Sequence, residues 1–197
     1  LSPIKRDETA ALAWLAQVFD LLKDGNRHPR VRTHGLGVTD TLQCLEFPFT
    51  SIDSTTWLQG SKSGSILVPA YGADGRPDYT LSPFRVFVTD RSRRRERHFD
   101  LIEEYEQDWT IKFLHEEIGI DLRQARDSYR ARWRVTISYF LGLQVASGAR
   151  LFFVSSGEPM MRDALLECGA RSHLLSYFKL RNRHGDTLRR YVDVQCI

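Results

Sequence analysis

Sulfur is scarce in this sequence, and none of it forms a framework. Cys44, Cys168 and Cys196 lie far apart, with no Cys-x-x-Cys spacing. An odd, sparse set of this kind excludes a disulfide scaffold and suits a reducing, cytoplasmic setting. No two histidines stand at helical ligand spacing, so neither a self-contained metal site nor a cofactor is expected. No apolar run is long enough to cross a bilayer, and no charged-then-apolar leader opens the chain, so no membrane partner is expected. Internal repeats and low-complexity segments are also missing. An initiating Met is absent too, which reads as a piece of a longer protein.

What remains is ordinary in amount and uneven in placement. Of 197 residues, 42% are hydrophobic and 27% charged, which is the composition of a soluble globular chain. Net charge is only +3, yet Arg85, Arg91, Arg93, Arg94, Arg95 and Arg97 crowd one short stretch. Arginine grips phosphate bidentately and stacks on bases, so this bias points to nucleic acid. Interleaved Asp and Glu allow the plainer alternative of a salt-bridged surface.

The first segment, "SPIKRDETAALAWLAQVFDLLKDGN", predicts a helix capped by Ser2, begun by Pro3 and stopped by Gly25. Ala11, Leu12, Leu15, Val18, Phe19 and Leu22 form its apolar stripe. Val31 to His34 reads as a strand that breaks into Gly35-Leu36-Gly37. Thr39 or Asp40 can cap a short helix through "TLQCLEF", and "FPFTSID" reads as a second strand reaching Asp53. This alternation predicts parallel βα units, whose functional groups gather at the carboxyl ends of the strands. Residues 65–83 read as an excursion with a hairpin-like "ADGRPD" turn. Residues 99–145 predict two helices broken near "GIDL", with Leu101, Tyr105, Trp109, Ile111 and Phe113 on one apolar face. Tyr129, Trp133, Ile137, Phe140 and Leu141 form the other. The tail reads strand (Leu151 to Val154), helix, strand (His173 to Phe178).

Asp53 is the central candidate. As the first residue of "DSTT" it can cap a turn. At a strand tip it can equally be a nucleophile, a general base or a metal ligand. The following "GSKSG" offers amides, hydroxyls and one cation suited to phosphate, without the spacing of a P-loop. His34 reads as a structural histidine with substrate orientation as the alternative. Trp57 reads as packing or a stacking surface, and Cys44 as a small core residue. "SSGEP" (Ser155 to Pro159) reads as a capping turn rather than an anion site.

Residues 29–64, "PRVRTHGLGVTD" and "FPFTSIDSTTWLQGSKSG", resemble the last strands of the tRNA-guanine transglycosylase superfamily. There one strand ends in a Leu-Met-Gly-Val-Gly type loop, and the next in Asp-Met-Phe-Asp-Cys-Val before a basic, glycine-containing loop. The resemblance is strongest to the phage and bacterial branch that modifies DNA with deazapurines. "LLECGARSHLLSYFKLR" is similar to segments of that branch. What the resemblance implies is base exchange: guanine replaced by a 7-deazaguanine, with Asp53 as nucleophile at C1′. Leu36, Gly37 and Val38 would bind the flipped base. Ser61, Lys62, Gly64, Arg91, Arg93, Arg94 and Arg95 would meet phosphates. Thr39 replaces the family's last loop glycine. The zinc motif of the tRNA enzymes has no counterpart, so DNA is favoured over tRNA as partner, beside a free deazaguanine or guanine base.

The family's second aspartate belongs to an earlier strand, and eight strands cannot be assembled from those read here. The expected fold is therefore α/β and partial TIM-barrel-like. Residues 1–147 would be the carboxyl-terminal part of a barrel-like catalytic domain, with a loop excursion and helices, and 148–197 a small α/β (βαβ) unit. An N-terminal barrel portion or an oligomeric partner would complete it. Two other functions fit the residues: a non-catalytic nucleic-acid-binding module using the arginine cluster, and an α/β enzyme acting on a small phosphorylated substrate.

Overall fold

The structure is a computed structural model that describes residues 8–24, 29–93 and 95–175. It is mixed α/β, with no closed barrel among the described residues. The expected caps Ser2, Pro3 and Gly25, and Arg94, lie outside the described residues.

Four parallel strands form the central sheet: β1 (His34–Gly35), β2 (Ser51–Ser54), β7 (Arg150–Ser155) and β8 (His173–Leu175). They lie side by side in chain order. His34 pairs with Ser51, Asp53 with Phe152, and Phe153 with His173. The expected boundary at residue 147 thus falls inside one sheet, because β7 bonds directly to β2. The first strand is also shorter than Val31 to His34 and is centred later.

Alternation along β2 and β7 divides the sheet into two faces. Ile52, Leu151 and Phe153 point to one face and are fully buried. Helices cover that face: α2 (Thr41–Glu46), α3 (Thr56–Lys62), α6 (Tyr129–Ser147) and α7 (Pro159–Glu167). Trp57 of α3 is fully buried between Trp133 of α6 and Phe153, with ring centroids 6.0 and 6.1 Å away. Its indole N–H donates to the carbonyl of Val154 at 3.2 Å. Cys44 of α2 is core as well, and burial pushes its thiol up to about 12.

Helix α6 organises this layer. Ser128 caps it by accepting from Ala131 N at 3.2 Å. Tyr139 in its middle hydrogen-bonds Thr41, in the first turn of α2, at 2.9 Å. Arg130 ion-pairs with Glu167 of α7. Helix α1 (Glu8–Leu22) docks through Leu15 and Phe19, the latter stacking on Phe47 at 5.4 Å and meeting Phe49 edge-on at 5.0 Å.

A long insertion separates α3 from α6. Strand β3 (Ser65–Val68) pairs antiparallel with β6 (Phe84–Phe87), and β4 (Ala70–Tyr71) with β5 (Pro77–Asp78) around the expected turn. The β3–β6 pair was not foreseen, since "SILV" reads as part of a loop excursion. Residues 104–147 hold three α-helices rather than two: α4 (Glu104–Lys112), α5 (Leu122–Asp127) and α6. A π-helical turn (Phe113–Ile118) extends α4, and an Asp121/Gln124 capping box starts α5. The first apolar face is therefore less buried than expected. Leu101, Tyr105 and Ile111 are exposed, and so is Tyr129. None of the helices among the described residues is long and apolar enough to cross a membrane.

Candidate functional site

The opposite face of the sheet carries His34, Ser51, Asp53, Arg150 and Phe152. The same alternation that sends Ile52 into the core sends Asp53 here. Strands β1 and β2 are locked in register just before the site by Thr33 and Thr50, each of which donates its amide to the other's hydroxyl at 3.1 Å. His34 then hydrogen-bonds Ser51 through Nδ1 at 2.9 Å and brings Nε2 to 4.0 Å from Asp53 Oδ1. Phe152 meets the His34 ring edge-on at 6.3 Å, and Arg150 lies over Phe152 at 5.0 Å. A depression of about 410 Å³ opens on this face beside His34, Ser51 and Phe152.

Asp53 sits at the carboxyl end of β2, with its side chain 12% exposed. Its Oδ1 accepts from the amide of Gly37, in the loop after β1. Its Oδ2 has no hydrogen-bond partner among the described residues. Both candidate strand ends are thus brought together as expected, and one carboxylate oxygen anchors the neighbouring loop.

Two glycines make that loop. A Cβ on Gly35 would lie 2.9 Å from Val38 Cγ2 and 3.2 Å from Ile52 Cγ2, so the strand and its returning loop can pack only on a bare backbone. Gly37 has φ +68° and turns the chain so that its amide faces Asp53. The turn leaves Leu36 83% exposed. Asp40 then caps α2 by accepting from Gln43 N at 3.0 Å. Leu36, Gly37 and Val38 line an open, largely apolar groove of about 900 Å³ running under α1, with Trp14, Leu15 and Val18 on its far wall.

The expected phosphate loop is built differently. Gly60 to Lys62 is the last turn of α3 and not a loop. Ser61 is buried, and its hydroxyl donates to Trp57 O at 3.1 Å, so it is not open to a phosphate. The Gly64 amide is spent on Ser61 O at 3.2 Å. Helical packing of Trp57, Gly60 and Ser61 beneath the insertion wins over the turn propensity of Gly-Ser-Lys-Ser-Gly.

The arginine cluster is likewise divided. Arg97 forks onto buried Glu106 at 2.8 and 3.1 Å, Arg93 pairs with Asp90 at 2.9 Å, and Arg95 lies over the Phe87 ring. Arg91 and Lys62 have no ion pair or hydrogen bond among the described residues, and both line one small pocket with Gly64. Arg132, which nothing in the sequence singles out, lines it too. "SSGEP" forms a turn in which Ser155 Oγ accepts from Gly157 N at 3.0 Å; Glu158 stands at the N-cap of α7 rather than in its first turn, and makes no side-chain capping bond.

Comparison of the chain with protein-family models, with curated proteins and with solved structures finds no match.

Proposed function

We propose that the chain takes part in base exchange on nucleic acid, as a transglycosylase that replaces guanine with a 7-deazaguanine, DNA being favoured over tRNA. The observation that carries this reading is the setting of Asp53. A carboxylate stands at the carboxyl end of a parallel strand, on the face opposite α2, α3, α6 and α7, with Oδ1 held by Gly37 N and Oδ2 unpartnered among the described residues. In sheets of parallel βα units this rim is where reactive groups collect.

In the proposed reaction Asp53 Oδ2 attacks C1′ of the target nucleotide. The C1′–N9 bond breaks, and guanine leaves with the electron pair and gains a proton. The incoming deazaguanine then attacks C1′ through N9, loses a proton and releases the carboxylate. Leu36 and Val38 supply an apolar wall for a flipped base, and the Gly35–Gly37 backbone a floor that a flat heterocycle can approach. The strands, in chain order, suit the last units of a barrel, with the bare face toward what would be its lumen.

The bond from Gly37 N favours a second reading, in which Asp53 only holds the loop and the chain is a non-catalytic nucleic-acid-binding module. Nucleoside mass spectrometry separates the two. DNA and tRNA from cells that make deazaguanine precursors would be digested after expression of wild type or Asp53→Asn. A deazaguanine nucleoside in DNA with wild type alone is the expected result; the same product in tRNA alone changes the substrate and keeps the chemistry. Equal product with Asp53→Asn, or none with either chain, overturns base exchange by Asp53.

A further inference from the structure

We infer that the pocket between the end of α3, the turn after β6 and the start of α6 is a phosphate-group site, formed by Lys62, Arg91 and Arg132. This goes beyond the role of Asp53 and does not depend on it. The pocket holds about 350 Å³, at the small end of the range that ligand pockets occupy.

Arg132 is the anchor. Its residue is only 3% exposed, an unusual placement for a charge that burial drives toward losing its proton. Part of its role is structural. Nε donates to Ser61 O at 3.0 Å, and Nη1 to Ala125 O and Arg126 O at 2.8 and 2.9 Å, tying the last carbonyls of α3 to those of α5. Its face rests on the Tyr129 ring at 4.6 Å. These contacts use three of five N–H groups. The two on Nη2 have no acceptor among the described residues, and Nη2 is not sealed into the core.

The charges around it leave the pocket positive. Four cations line it, Lys62, Arg91, Arg126 and Arg132, against Asp90 and Asp127. Each carboxylate is drawn to an arginine outside the lining: Asp90 to Arg93 at 2.9 Å and Asp127 to Arg123 at 3.7 Å. Arg126 is itself paired with Asp100 at 2.8 Å. Lys62, Arg91 and Nη2 of Arg132 are what remain. The ammonium of Lys62 and the guanidinium of Arg91, beside the remaining N–H pair of Arg132, match a group with several acceptor oxygens and more than one negative charge, which is a phosphate rather than a carboxylate.

The site lies at the end of the molecule where the carboxyl ends of the strands lie. Tyr139 meets Thr41 at the carboxyl end of the strands, and Arg132 lies two turns earlier on α6, about 10 Å further along. A backbone phosphate and a free phosphorylated molecule share this chemistry, and the test separates them.

The full chain would be titrated with inorganic phosphate, a 5′-mononucleotide, and single- and double-stranded DNA, as wild type and as Lys62→Ala/Arg91→Ala. Both substituted residues are exposed and have no side-chain partner among the described residues, so folding should be unaffected. Phosphate should raise the wild-type melting temperature, and the double variant should lose at least roughly tenfold in affinity. If the source is a nucleic-acid backbone, DNA binds more tightly than the mononucleotide, and the slope of log K against log salt falls by about two in the variant. If the mononucleotide binds and DNA does not, the ligand is a small phosphorylated molecule. Unchanged binding by the double variant, or no binding of any probe by wild type, overturns the inference. Asp53→Asn should bind inorganic phosphate and the mononucleotide as wild type does, so failure here and failure of base exchange are read separately.

Discussion

Neighbouring residues of β2 belong to two different environments. Ile52 goes to a face sealed by α2, α3, α6 and α7, where Leu151, Phe153 and Trp57 complete a dry layer. Asp53 goes to a face where His34, Ser51 and Phe152 stay partly open and polar contacts replace packing. Burial on the first face stabilises by roughly 1.5–3 kcal/mol per large side chain; the second contributes little by that route. Among the described residues, the packing that holds the sheet thus comes mainly from one side.

The largest expected difference lies between adjacent residues of β7. Phe153→Ala should cost about 3–5 kcal/mol in urea unfolding, because a cavity opens beneath Trp57. Phe152→Ala, on the open face, should cost under about 1 kcal/mol. Similar losses for the two would mean that both faces are packed, which would break the contrast.

Gly35→Ala comes next, at about 1–3 kcal/mol, because its Cβ has nowhere to go between Val38 and Ile52. A stability equal to wild type would show that the β1 loop yields. Asp53→Ala should cost about 1–3 kcal/mol by orphaning the Gly37 amide, and Asp53→Asn under about 1 kcal/mol, since the amide oxygen still accepts. Equal stability of Asp53→Ala and wild type would remove the anchoring role and leave only the chemical one.

The smallest effect is a titration on the sealed side. Cys44 ionises near 9.0 when unfolded, but burial raises it to about 12 in the fold, aided by Asp40. Between those values the unfolded chain has lost a proton that the folded chain retains. The thiol's contribution is therefore complete below pH 9 and is lost as pH rises toward 12. Cys44→Ala should flatten the fall of the urea midpoint between pH 9 and 11, and an unchanged slope would count against this burial.

Much of the sheet was legible because its signals are local. Asp40 before an apolar helix, a glycine-rich break after a short strand, and alternation through "FTSID" each act over a few residues. What was missed depends on distant partners. Arg97 looks like its neighbours until Glu106 is folded against it. "GSKSG" looks like a loop until α6 packs on α3 and Arg132 takes the Ser61 carbonyl. Arg132 carries no sequence signal at all, since "RARWR" gives no hint which arginine turns inward. Its burial follows from helix packing, which a periodicity cannot assign to one side chain.

The pairing of β2 with β7 has a kinetic consequence. Ser51 meets Arg150 about a hundred residues further along the chain, so the centre of the sheet closes over a very long loop. The entropy of that closure must be met before any β2–β7 hydrogen bond rewards it, and long-range pairings of this kind slow folding. The insertion from α3 to α6 shortens the effective gap only once it has folded and docked. During synthesis β1 and β2 emerge before β7, so the edge of β2 that β7 will pair with waits until β7 follows.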